Sequence, residues 1–101
     1  MNHERAITAN AGEIVSIAPA TGEAVFRARV GNVDGSVAKA QRAWPNWAAQ
    51  PLVNRIEFVR RFANELRKDA EALARMAAEE TGKPLWEATA EVEATIGRVE
   101  M

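Results

Sequence analysis

The apolar residues of this chain change their period once, and that change limits what it can fold into. Ile14, Val15 and Ile17 form a β-branched run between Glu13 and Ala18, after which Ala24, Phe26, Ala28 and Val30 alternate with Val25, Arg27 and Arg29. Such alternation marks a strand with one apolar and one largely charged face. Between the runs lies Pro19-Ala20-Thr21-Gly22, where proline presets φ for a turn and glycine accepts a positive φ. The spacing predicts a β-hairpin with a four-residue connection. Past Val30 the two-residue period does not return. A lone hairpin is marginal in water and needs a third strand or a helix over its apolar face. Only helices are on offer.

Gly31-Asn32 breaks the second strand, and Asn32 is a suitable N-cap with Asp34 in the first turn. Val33, Val37, Ala40, Trp44 and Trp47 line one helical face. Pro45 predicts that this helix stops near Trp44, with Trp47 on a short turn beyond. Trp44 and Trp47 continue the stripe and are expected in the core. Pro51 suits a first helical position, and Val53, Ile56, Val59, Ala63 and Leu66 carry the next stripe, widened by Phe62. Leu73, Met76 and Ala77 stay in phase with it. Asp69 either caps a separate helix or lies inside one long helix. Thr81-Gly82-Lys83-Pro84 is the clearest stop, with glycine at the helix end and proline two residues on. A last helix starts near Leu85, with Leu85, Thr89, Val92, Ile96 and Val99 on one face, and Trp86 beside it facing the Gly82–Pro84 turn. Its pattern still runs at Met101, so the chain reads as the opening portion of something longer. Residues 1–12 read as a loosely ordered start, and 13–101 as the folded part.

At 101 residues the chain fits one small domain. Of its apolar residues 21 are alanine, which adds little buried area, and a short domain already buries a small share of its surface. There is no cysteine to form a disulfide staple. The core is thin. We expect Val37, Trp44, Ile56, Val59, Phe62, Leu66 and Leu73 to bury against one another and against further protein. A net charge of −1 with interspersed signs gives no field for a nucleic acid. No apolar run approaches a membrane span of about 20 residues. The start, Met1-Asn2-His3-Glu4-Arg5, lacks signal-peptide character, so a cytoplasmic location is expected.

The residues that carry chemistry elsewhere do not converge here. His3 is the only imidazole and lies in the loose start. Without cysteine, and with one terminal histidine, no metal site is expected. Glu79, Glu80, Glu87, Glu91, Glu93 and Glu100 read as solvated helix faces, because an acid–base pair needs one desolvated carboxylate. Gly82-Lys83 fails as a phosphate loop: Ala77 stands where the earlier glycine belongs, and Pro84 where a Ser or Thr belongs. Ser16 and Ser36 lack nucleophile-elbow glycines. Arg60, Arg61, Arg67 and Lys68 are offset by Glu57, Glu65, Asp69 and Glu71.

The order of the motifs nevertheless matches a known family. Ala18-Pro19-Ala20-Thr21-Gly22-Glu23 at the hairpin turn is followed by Trp44-Pro45-Asn46-Trp47 and by Arg55 on the next helix. Glu80-Thr81-Gly82-Lys83-Pro84-Leu85 comes next, then Glu87-Ala88 and Glu91-Val92. From about Ile14 to the end, this set resembles the N-terminal segment of an NAD(P)-dependent aldehyde dehydrogenase. Trp86-Glu87-Ala88 directly after the Gly-Lys-Pro-Leu stretch is most similar to the branch that oxidises N-succinylglutamate 5-semialdehyde to N-succinylglutamate in arginine catabolism.

The resemblance implies an α/β parent in which residues 13–101 form the first part of the cofactor-binding domain. It implies NAD or NADP in the parent and an oligomeric assembly, with the remainder of that parent covering the helical faces. In the family a cysteine thiolate attacks the aldehyde carbon, hydride leaves to NAD(P)+, and a glutamate helps water hydrolyse the thioester. None of those groups falls in the matched stretch, so no catalytic or cofactor-binding residue is assigned. Ala94, and with less support Ile96, are the residues the resemblance places near the mouth of the substrate tunnel; the plainer expectation for both is helix packing. Two alternatives stay open: a stand-alone, non-catalytic helical module that dimerises or binds a partner, and an aldehyde dehydrogenase of another substrate class.

Overall fold

The computed structural model describes residues 12–101, and the expectations for His3 and the loose N-terminal start lie outside these. Strands β1 (Glu13–Ile17) and β2 (Ala24–Arg29) are followed by helices α1 (Val33–Ala49), α2 (Leu52–Lys68), α3 (Ala70–Thr81) and α4 (Leu85–Gly97), with a 3₁₀ turn at Arg98–Glu100. The α/β reading holds, as a hairpin followed by four helices.

β1 and β2 pair antiparallel, with Glu13 opposite Arg29, Ile14 opposite Ala28 and Ser16 opposite Phe26. The connection closes where the Ala18 N–H donates to the Glu23 carbonyl and the Gly22 N–H to the Ala18 carbonyl. Gly22 takes φ 76°, the left-handed conformation its place in the turn requires. Between Ser16 and Ile17 the register slips, since Ile17 meets Ala24. Val25 is the extra residue of a β-bulge, and the strict alternation read from the sequence breaks there. The apolar face expected to be covered stays open, with Phe26 49% exposed; the buried residues of this region are Val15 and Ala18.

Asn32 caps α1 as expected, its Oδ1 accepting the Gly35 N–H at 3.0 Å. The expected stop at Trp44 is corrected: α1 runs through Pro45 to Ala49. A proline removes one ladder bond, here to the Gln41 carbonyl, and the turns on either side keep theirs. Pro51 is the effective breaker. It holds Gln50 at ψ 141°, the extended conformation favoured before a proline. Asp69, left open by the sequence, ends α2 and begins α3 at φ −101°, ψ 8°, with no side-chain cap bond. Gly82 ends α3 at φ 78°, as its position before Lys83-Pro84 predicts.

The interior differs most from expectation. α2 and α3 each bury one alanine, Ala63 and Ala74, while α4 buries Ala88 and Ile96. Phe62 is 60% exposed, and Val37, Trp44, Ile56, Val59 and Leu73 are exposed as well; Leu66 is half-buried. Trp86 is open to solvent rather than packed on the Gly82–Pro84 turn. On α4 the inner line is Ala88, Val92 and Ile96, continued by Val99 in the 3₁₀ turn, so Leu85 and Thr89 fall outside it. Small residues let helix axes approach closely, and the large side chains of the same helices are left pointing away. α3 and α4 form the most extensive helix pair, whereas α1 packs extensively on no other element. The radius of gyration, 17.5 Å, compares with about 13 Å for a compact chain of this length.

Candidate functional site

Several hydrogen bonds and a contact from the hairpin meet at the turn between α3 and α4. Gly82 ends one helix, and Pro84 starts the next with its carbonyl accepting the Glu87 and Ala88 N–H groups. Lys83 lies between them and sends Nζ to both carboxylate oxygens of Glu91, each at 2.7 Å. That hydrogen bond raises the Lys83 pKa above the ordinary lysine value, with the charge of Glu91 adding to it and desolvation opposing it. The hairpin reaches the same turn. A β-carbon on Gly82 would stand 3.5 Å from Pro19 Cγ. Thr81 closes the end of α3 by donating Oγ1–H to the Ala77 carbonyl at 2.6 Å.

These contacts give Lys83 and Glu91 structural work. Lys83, already set aside as a phosphate ligand because its flanking residues fail the loop pattern, is held by the Glu91 carboxylate. Lys83 and Glu91 stand eight residues apart across a turn and follow no helical pairing rule. Their meeting is visible only in three dimensions.

The structure places differently the two residues that the resemblance put near a tunnel mouth. Ala94 is exposed on α4, while Ile96 is 7% exposed and spends its side chain on internal packing. The structure does not bring the two together on one exposed face. A second cluster joins α1 to α2. The rings of Trp47 and Phe58 have centroids 5.8 Å apart at 56°, and the Arg61 guanidinium lies 5.1 Å from the Phe58 centroid. Arg61 Nε is also 3.6 Å from Glu57 Oε1. Sequence reasoning left Phe58 off the helical stripe, although its place three residues before Arg61 carried the signal.

A dinucleotide requires a glycine-rich turn from a strand into a helix whose first N–H groups are free for the pyrophosphate. Only β2 leads into a helix that way among the described residues. There Asn32 takes up the Gly35 N–H and Asp34 adds a negative charge to the first turn. The described residues do not fit the cofactor. Among the described residues no group of three or more histidine, cysteine, aspartate or glutamate residues could hold a metal ion. No helix there is long and apolar enough to cross a membrane.

Comparison with known proteins gives these motifs a context. The aldehyde dehydrogenase family profile matches residues 7–101. An N-succinylglutamate 5-semialdehyde dehydrogenase of Novosphingobium aromaticivorans is 63% identical over 89 residues, which cover 88% of this chain and 19% of that protein. The protein of the same name from Sphingopyxis alaskensis is 49% identical over 89 residues, covering 88% and 18%. The one from Chromobacterium violaceum is 45% identical over 74 residues, covering 73% and 15%. The chain thus spans less than a fifth of the length of these curated relatives. With its hairpin turn, its glycine-capped α3 and its Lys83-Pro84 turn all inside the matched stretch, the chain belongs to the aldehyde dehydrogenase family.

Proposed function

We propose that these residues serve as the non-catalytic N-terminal part of the cofactor-binding domain of an NAD(P)-dependent aldehyde dehydrogenase. The proposed reaction is oxidation of N-succinylglutamate 5-semialdehyde to N-succinylglutamate, in arginine catabolism in the cytoplasm. The observation that carries the reading is the 63% identity to a relative bearing that activity as its name. The exposed faces of α1 and α2 support it, since large apolar side chains at this density are surfaces awaiting a cover. In this reading the remainder of the dehydrogenase covers them, in an oligomeric enzyme.

The chain has no cysteine, and no dinucleotide cradle is formed among the described residues. A thiolate nucleophile and the cofactor therefore come from outside these 101 residues. What this segment supplies is position. Gly82 and Pro84 make the turn from which α4 leaves, the Lys83–Glu91 pair spans it, and α4 carries the exposed Ala94 toward the region proposed as the mouth of the substrate path.

The test is the polypeptide that carries these residues in its native source, captured with an antibody to them, weighed intact and assayed for NAD(P)+ reduction. The expected result is a mass several times 11.0 kDa and a clear preference for the succinylated semialdehyde over short aliphatic and aromatic aldehydes. Preference for another aldehyde keeps the dehydrogenase and overturns the substrate. A mass near 11.0 kDa without activity favours the stand-alone binding or dimerisation module.

A further inference from the structure

We draw no further inference here: the strongest candidate, the apolar surface of α1 and α2 around Trp44, Trp47, Phe58 and Phe62, is an unpartnered face, and nothing in the structure shows what covers it.

Discussion

At Gly82 and Gly97 the same substitution has opposite expected effects. Gly82 has φ 78°, and its missing β-carbon would meet Pro19 only at ordinary van der Waals distance. Gly82→Ala is therefore opposed by backbone conformation, and we expect a loss of about 1–2 kcal/mol in denaturant unfolding. Gly97 ends α4 at φ −61° with open space around it. Gly97→Ala is expected to stabilise by up to about 1 kcal/mol, since alanine has less freedom to lose on folding. Equal effects at both sites would show that the left-handed turn is not strained by a side chain. Lys83 gives a pH signature. Its pKa is raised in the folded chain by the bond to Glu91, so its contribution is full below the ordinary lysine range near 10.5 and is lost as pH rises through the higher folded value. Unfolding midpoints of the wild-type chain and Lys83→Met should differ at neutral pH and converge in strong alkali. A gap that persists there would place the lysine's effect in its stem rather than its charge. Glycine at a helix end was legible because chirality forbids most alternatives. The Lys83–Glu91 pair was not, because a turn brings together residues that no repeat relates.

Among the elements, α1 depends on local interactions and α3–α4 on packing. Removing the Asn32 cap with Asn32→Ala should cost about 0.5–2 kcal/mol of helix stability. Because α1 has no buried residue, that loss should appear as faster amide exchange in the first turn of α1, with exchange in α3 and α4 unchanged. Exchange that accelerates everywhere would mean that α1 is coupled to the rest. At the helix contacts the opposite substitution is informative. Ala88 is fully buried, and Ala88→Leu should destabilise by about 1–3 kcal/mol through overpacking; a neutral effect, read by thermal unfolding, would show space the packing does not reveal. The hairpin and the helix boundaries at Asn32, Pro51 and Gly82 were legible because each rests on a backbone restriction carried by one residue type. Which face turns inward was not. Period fixes which residues share a side, but Ala63, Ala74 and Ala88 face inward here while Phe62, Leu73 and Leu85 do not. Pro45 misled for a related reason, since one missing hydrogen bond weakens a helix without always ending it.

For the molecule as a whole, the exposed large side chains set the expectation. Phe62 is 60% exposed, so Phe62→Ala in the 101-residue chain should leave the unfolding midpoint nearly unchanged. In a dehydrogenase that buries this face, the same substitution should cost about 3–5 kcal/mol. A large loss in the short chain would place Phe62 in its core after all. The family was legible from the order of Pro19–Glu23, Trp44–Trp47 and Glu80–Leu85, because those residues set turns and helix ends that a shared fold must keep. The proposed reaction was not legible in the site, since the chain has no cysteine and the resemblance assigns no catalytic residue within it. The weak attachment of α1 has a consequence for handling the protein. Trypsin cuts only where a chain can unwind into its cleft, and α1 offers Lys39 and Arg42, both exposed, on a helix with little to hold it. Among the described residues, brief digestion should nick there first and leave the piece from α3 onward to survive longest, so the order in which the pieces appear would map how firmly each part is held.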